Sequence, residues 1–404
     1  MKHEYIDIFA GCGGLSLGLH NAGWKGIFAV EKNEDAFETL KFNLIDNKQH
    51  FSWVDWLETK NYDINDILAN ENLSKLSGKV SLVVGGPPCQ GFSMAGQRKK
   101  NDTRNKLVNA YIKFINIVKP TYLFFENVHG FTVGFKNKKN KKTKPMSNHI
   151  VAKLKKMGYN ISYRILDLSE YGVPQKRKRF ILVGSLENDP STFFDILDSQ
   201  STSILKTKNL SKYISVKDAI GDLLYSNGKL ACPDSKGFYS GKYGRASSPY
   251  QKYMRKEIAR GEIPDSHRFA KHKKYTEELF LTMQKECEHG KRLSPRNTNI
   301  DGFKRRGVTI LVGDKPCNTI TSHPDDYIHY SEARILTVRE CARIQSFPDW
   351  YKFKGKYTTG GPRRKLEVPR YTQVGNAIPP LFAEQVGYAL KKLMENDSNG
   401  EVVI

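Results

Sequence analysis

The chain has 404 residues, 39% of them hydrophobic, which is enough for two domains with cores of their own. Lys plus Arg number 65 against 42 Asp plus Glu; the net charge of +23 points to a polyanionic partner, nucleic acid before an anionic membrane surface. The opening residues hold no apolar signal core, no long apolar run follows, and the six cysteines form no Cys-x-x-Cys pair, so a cytoplasmic protein with no membrane span, disulfide framework or metal site is expected.

Residues 4–9 read as a short strand ending in Phe9. Ala10-Gly11-Cys12-Gly13-Gly14 then turns into a helix that closes on Gly23. Strand, glycine turn and helix make a cofactor-binding opening, without the glycine spacing of dinucleotide enzymes. The second strand, 26–30, runs into Glu31; an acid there commonly accepts hydrogen bonds from ribose hydroxyls, or else merely starts the next helix. Residues 33–44 read as helix, and Asp55-Trp56 offers an acid and an aromatic ring able to hold an adenine.

Val80–Val84 is a short apolar run that reads as a buried strand, and Gly85-Gly86-Pro87-Pro88-Cys89 follows it. The glycines let backbone approach closely and the prolines stiffen the loop. Cys89 therefore sits on a stiff mount at a strand's carboxyl end, the edge where open α/β sheets bind ligands. A thiol held there is a candidate nucleophile, since a cysteine that only packs needs no such mount. A helix over 102–118 ends at Pro120, and the strand 122–125 delivers Glu126-Asn127-Val128 to the same edge.

The run 136–144 is rich in lysine and reads as a solvated loop. A helix at 148–157 and a strand at 161–168 precede Gln175-Lys176-Arg177-Lys178-Arg179 and the strand 180–183. If that segment is extended, Arg177 and Arg179 point the same way and reach toward one anion or base. Strand–helix alternation over 4–185 argues for α/β architecture with a doubly wound, mostly parallel sheet. After Ser185 the texture changes, which places a domain boundary near 188. Further on, 336–347 reads as a helix capped by Thr337, and a last helix starts near 380.

These segments together resemble the cytosine-C5 DNA methyltransferases, particularly the bacterial restriction–modification type. Asp7–Gly14 resembles their first S-adenosylmethionine motif, Gly85–Ser93 their catalytic loop, and Glu126-Asn127-Val128 their catalytic acid motif. Gln175-x-Arg177-x-Arg179 resembles their target-cytosine contact, Arg334–Asp349 the motif supporting the small domain, and Gln373-x-Gly375-Asn376 the motif that returns to the cofactor. The motifs run in family order from residue 5 to 380.

The resemblance implies a methyltransferase-fold large domain, 1–188 completed by 366–404, and a smaller target-recognition domain, 189–365. It implies S-adenosyl-L-methionine as cofactor, held by Phe9, Gly11, Gly13, Gly14, Glu31, Asp55, Trp56, Pro88, Leu107 and Asn376. Lys32 stands where many members carry an apolar or aromatic residue. Catalysis would fall to Cys89, attacking C6 of a flipped-out cytosine, with Glu126, Arg177 and Arg179 around it. Double-stranded DNA would be the partner of a monomer, with a cognate restriction endonuclease in the same system but no stable complex. A tRNA cytosine-C5 methyltransferase is the rival enzyme; it usually carries a shorter region than the one here between Arg179 and Arg334.

Overall fold

The computed structural model describes residues 2–88, 104–134, 144–303, 307–360, 363 and 367–399. They form two compact units. The first comprises Met1–Asp167, Lys178–Ser201 and Ala383–Ile404; the second comprises Leu168–Arg177 and Thr202–Phe382. These limits differ from the texture-based boundaries near 188 and 366, because the ten residues before Lys178 contact the second unit and the chain returns to the first only at Ala383.

In chain order the first unit opens with β1 (Glu4–Ile8), α1 (Gly14–Asn21), β2 (Lys25–Val30), α2 (Glu34–Leu40), α3 (Ile64–Leu68) and β3 (Leu82–Gly85). It continues with α4 (Arg104–Val118), β4 (Tyr122–Val128), α5 (Met146–Lys156) and β5 (Asn160–Asp167). The two-residue strand β6 (Gln175–Lys176) belongs to the second unit, and β7 (Lys178–Ser185) returns to the first. The sheet order is β2-β1-β3-β4-β7-β5. The four strands β2, β1, β3 and β4 are parallel, whereas β7 runs antiparallel to both β4 and β5. The parallel strands are near-continuous apolar runs because helices cover both faces. Ile6, Ile8, Phe28, Val83, Leu123 and Phe125 are all buried in one core with Tyr111 and Phe114 of α4. Each such side chain contributes about 1.5–3 kcal/mol.

Helix α2 is shorter than its periodicity suggested, and Lys41–Asn47 continues it as a π-helical stretch. The last helix, α12 (Pro380–Asn399), packs on the opening βα unit. The Trp24 indole donates to the Gly387 carbonyl at 2.9 Å, and Ser201 of α6 (Phe193–Thr207) donates to Gln385 at 2.6 Å.

The second unit contains α7 (Val216–Ile220), the hairpin β8 (Lys229–Ala231) and β9 (Tyr239–Gly241), α8 (Pro249–Met254) and α9 (Lys274–Glu286). β10 (Arg292–Leu293), β11 (Val308–Ile310) and β13 (Tyr327–Ile328) form a small sheet, while β12 (Cys317–Asn318) pairs with β6. Helices α10 (Val338–Ile344) and α11 (Arg370–Asn376) complete the unit.

Helix α10 starts where the sequence indicates, at a capping box in which Thr337 and Glu340 satisfy each other's backbone N–H. The unit is built on arginines with no access to water. Arg343 lies between Asp222 and Asp349 at 2.6 and 2.7 Å. Arg334 donates to both Glu340 oxygens at 2.8 and 2.7 Å. Burial alone would raise the Glu340 carboxyl, but Arg334 overrides it and holds the group at about 2. The folded state therefore binds this proton more weakly than the unfolded chain. The stability it contributes is present above the ordinary value of 4.5 and is lost as pH falls toward 2.

Glu340→Ala leaves the Arg334 guanidinium with Glu332 as its one remaining carboxylate among the described residues, and a urea titration at pH 7 should show a loss of about 3 kcal/mol. A loss under about 1 kcal/mol would mean that the pair carries no net stability.

Candidate active site

Three strand ends of the first unit define one edge of the sheet. β3 ends in Gly85 and leads to Gly86, Pro87 and Pro88. Cys89 lies outside the described residues. The mount that leads to it is described, and it is tied to the neighbouring strand. The Asn127 amide of β4 donates to the Pro87 carbonyl at 3.1 Å. A Cβ on Gly86 would stand 2.9 Å from Glu126 Oε2 and 3.0 Å from the Glu126 carbonyl, so only glycine lets the loop pass this close. Pro88 is exposed.

Glu126 faces β7. It lies opposite Ile181 in the antiparallel register, and Arg179, two residues along, shares its face. Arg179 Nε stands 2.7 Å from Glu126 Oε1, with the side chains only 9% and 13% exposed. The Arg179 Nη1 also donates to the Lys178 carbonyl at 2.8 Å. The carboxylate is thus held from two sides, by the guanidinium at one oxygen and by the Gly86 backbone near the other.

Arg177 does not share this face. The extended segment breaks at residue 177: β6 pairs with β12, and β7 begins afresh at Lys178 beside β4. The alternation rule therefore does not carry across. In the second unit the buried Arg177 guanidinium donates to the carbonyls of Ile320 at 3.3 Å, Gly375 at 3.0 Å and Ala377 at 3.1 Å. The expectation of two arginines reaching one anion is corrected accordingly.

The second group of residues surrounds the turn after β1. Phe9, Gly11 and Gly13 all take positive φ, at 63, 57 and 86°. The turn is pinned by Ala10 N–H to the Val30 carbonyl and Gly13 N–H to the Ala10 carbonyl, both at 3.0 Å. Glu31 completes it: one carboxylate oxygen accepts from Gly11 N–H at 3.0 Å and the other from Asn33 N–H at 2.8 Å. Burial raises the Glu31 carboxyl, and the amides of Asn33, Gly11 and Lys32 oppose that. A Cβ added to Gly11 would meet nothing within 4 Å, so the space above the turn is open. A carboxylate offers about four lone-pair sites, and two amides leave acceptors for hydroxyl donors. These features fit an adenosine ribose.

Trp56 is half-buried, its ring edge-on to Phe28 at 6.0 Å, whereas Asp55 is exposed. Leu107 is half-buried on α4. Lys32 is turned away to an ion pair with Asp63 at 2.8 Å and is 78% exposed. Asn376, at the end of α11 in the second unit, is exposed.

Sequence reasoning gave Asn127 and Gly86 no role of their own. Asn127 and Gly86 stood inside motifs already singled out, and their roles follow only from the strand register. The five described cysteines, Cys12, Cys232, Cys287, Cys317 and Cys341, all have thiols raised by burial, Cys12 to about 12. None is a competing thiolate. Among the described residues no His, Cys, Asp and Glu cluster could hold a metal, and no helix is long and apolar enough to cross a membrane.

The family model for C-5 cytosine-specific DNA methylases matches residues 3–392. Type II methyltransferase M.DdeI of Desulfomicrobium norvegicum is 32% identical, over 97% of this chain and 89% of that protein. Type II methyltransferase M.XorII of Xanthomonas oryzae pv. oryzae is 30% identical, over 96% of this chain and 84% of that protein. Among solved structures, a prophage-encoded protein of E. coli described as a candidate DNA modification methyltransferase shares the fold. Its TM-score is 0.64 at 24% identity, over 97% of this chain and 99% of that one. Motif order, the mounted loop beside Glu126 and these matches agree: the chain belongs to the C-5 cytosine-specific DNA methylase family and is a cytosine-C5 DNA methyltransferase.

Proposed function

We propose that this enzyme methylates C5 of a cytosine flipped out of a specific duplex sequence, through a covalent bond between Cys89 and C6. We assign it to the modification side of a restriction–modification system, acting in the cytoplasm as a monomer. The observation that carries the mechanism is the Glu126 carboxylate, held between Arg179 and Gly86 beside the loop that leads to Cys89.

C5 of cytosine is a poor nucleophile within an aromatic ring. Attack of the Cys89 thiolate on C6 forms a sulfur–carbon bond and breaks the ring's aromaticity. The displaced electron pair spreads over the ring toward N3. Glu126 meets that charge at N3, where a proton is taken up, so C5 becomes the nucleophilic carbon of an enamine. Arg179 fixes the carboxyl's orientation through Oε1. S-adenosyl-L-methionine, when bound, supplies an electrophilic methyl on a sulfonium. Once C5 carries the methyl, a base removes the C5 proton, the ring electrons return, and Cys89 leaves. This is nucleophilic catalysis that splits one hard step into easier ones. Glu31 and the open turn over Gly11 would hold the adenosine, and Phe9, Trp56 and Leu107 would supply further contacts.

C6 is inaccessible inside a duplex, and extruding the base costs roughly a few kcal/mol. Phosphate contacts by a chain of net charge +23 can offset that cost.

A duplex with 5-fluorocytosine at the target should become joined to the protein in the presence of S-adenosyl-L-methionine, because fluorine cannot leave C5 as a cation. The adduct should survive denaturing electrophoresis and vanish in Cys89→Ser. A protein that methylates ordinary DNA yet forms no such adduct does not use a covalent path.

Glu126→Gln should lower the single-turnover methylation rate by about 100-fold or more while duplex affinity stays within a few-fold, since its work is done in the transition state. Unchanged turnover would remove Glu126 from the chemistry.

Affinity for a non-target duplex should fall by about 1000-fold between 50 and 200 mM salt if six or more phosphates are neutralised. A salt-independent affinity would show that the positive charge does not track the backbone.

A further inference from the structure

Asp7 is an acid for which the mechanism above has no use. It sits near the end of β1, between Ala29 of β2 and Val84 of β3, and is 1% exposed. Its Oδ2 accepts from the Ser16 hydroxyl of α1 at 2.5 Å. Its Oδ1 is buried with no hydrogen-bond partner among the described residues. A carboxylate with one open oxygen and no cation is an expensive interior group. Its neighbours make that worse. Glu31, just beyond the end of β2, raises its carboxyl further, and Tyr5 of β1, kept neutral by burial, brings no compensating charge. The Tyr5 hydroxyl is itself bonded to His50 at 2.7 Å, and His50 to His20 of α1 at 3.1 Å. Burial keeps His50 neutral, with its pKa lowered to about 3, so it brings no compensating charge. Cys12 in the turn is a neutral thiol, raised to about 12. β3 brings only apolar side chains at Leu82, Val83 and Val84, and α12, packed on α1, carries the buried acid Glu384. No cation faces Asp7 from any of these elements.

We propose that Asp7, with one buried oxygen left bare beside the glycine turn, is the charge sensor of the cofactor site: it gives up a proton more readily when a sulfonium arrives, and so favours S-adenosyl-L-methionine over S-adenosylhomocysteine. The proposal rests on the cofactor reading above and goes beyond it. Two acids, Asp7 and Glu31, flank one glycine turn, and the cofactor differs from the product by one positive charge at sulfur. Burial first, then Glu31, raise the Asp7 carboxyl to about 7 against the opposing Ser16 bond, so a cation nearby would release its proton near neutral pH. Methyl transfer removes the sulfonium, Asp7 recovers a proton from solvent, and the reason for tight binding disappears with the methyl group.

The test is titration calorimetry on the full chain with each ligand, in buffers of different ionisation enthalpy, from pH 6 to 8.5. Wild type should release about half a proton on binding S-adenosyl-L-methionine near pH 7, approaching one toward pH 6, and much less on binding S-adenosylhomocysteine at either pH. The affinity ratio of the two should rise about tenfold across that range. In Asp7→Asn the ratio should be flat in comparison; the ligand's own amine titrates alike in both proteins and cancels. A folded Asp7→Asn with the wild-type profile overturns the proposal. Should Asp7→Asn not fold, Ser16→Ala decides. The lost hydroxyl was holding the Asp7 pKa down, so the rise in ratio must move to higher pH. An unmoved profile rejects Asp7. Binding of neither ligand at any pH would remove the cofactor reading and this inference together, whereas tight binding with no pH difference removes this inference alone.

Discussion

The site depends on where the Glu126 carboxylate is held. It stands where β4 has lost β3 as a ladder partner but still pairs with β7, and two neighbours fix it by different means. β7 supplies a guanidinium at 2.7 Å, and β3 supplies a glycine whose missing Cβ leaves room for the other oxygen. Neither constraint is local in sequence: Gly86 is 40 residues before Glu126 and Arg179 is 53 after it. Both are consequences of the strand order. Because β3 and β7 are the two neighbours of β4, whatever those strands carry at this height must meet Glu126. The Asn127 bond to Pro87 ties the same strand to the segment that leads to Cys89. Gly86, Pro87 and Glu126 thus meet on one edge of the sheet.

The second unit solves a different problem. Its strands are two or three residues long and cannot bury much apolar surface. Arg334, Arg339 and Arg343 stand in for a larger core, each satisfied by acids and carbonyls drawn from distant segments. A buried ion pair is a weak net stabiliser, since desolvation cancels most of the attraction. Its value here is geometric. Arg343 alone ties α10 to Asp222, beyond the end of α7, and to Asp349, so these segments have one arrangement that leaves no charge unpaired. Short irregular elements held by directional bonds leave the hairpin β8–β9 and the small sheet free to vary on their exposed sides.

Much of this was legible in the chain. The βα alternation, the glycine turn, the mounted cysteine, the strand ending in Glu126 and the capped helix at Thr337 all follow from local chemistry, and the structure places the described ones as expected. What was not legible depended on pairing. The run Gln175–Arg179 reads as one extended segment, but it is shared between two sheets, and the break at Arg177 sends its side chain to three carbonyls instead of toward Arg179. The antiparallel direction of β7 could not be read either, since a buried strand looks alike in both directions. Helix α11 was unforeseen because Gln373–Asn376 is too short to show a period. Asp7 stood at the head of the first cofactor motif without a role of its own, because its partners depend on how β1 packs against α1. Cys89 was the strongest reading of all and lies outside the described residues, so the structure speaks to its mount and not to the thiol.

The placement of acids in so basic a chain has its own logic. Glu31, Asp7 and Glu126 stand at or near the carboxyl ends of β2, β1 and β4, on one edge of a sheet in a protein of net charge +23. Each is neutralised differently. Backbone amides serve Glu31, a guanidinium serves Glu126, and a single hydroxyl serves Asp7. The order of these partners, from weak to strong, separates the three acids by task. Glu126 is compensated by a full charge and keeps its geometry whatever binds beside it. Glu31 is compensated by dipoles, which orient its remaining lone pairs without cancelling its charge. Asp7 is the least compensated, with one hydroxyl on one oxygen and no hydrogen-bond partner on the other among the described residues. The DNA partner is a polyanion and the methyl donor carries a positive sulfonium, and the chain separates their electrostatics accordingly. The excess lysines and arginines answer the first, and a short acidic sheet edge is reserved for the second.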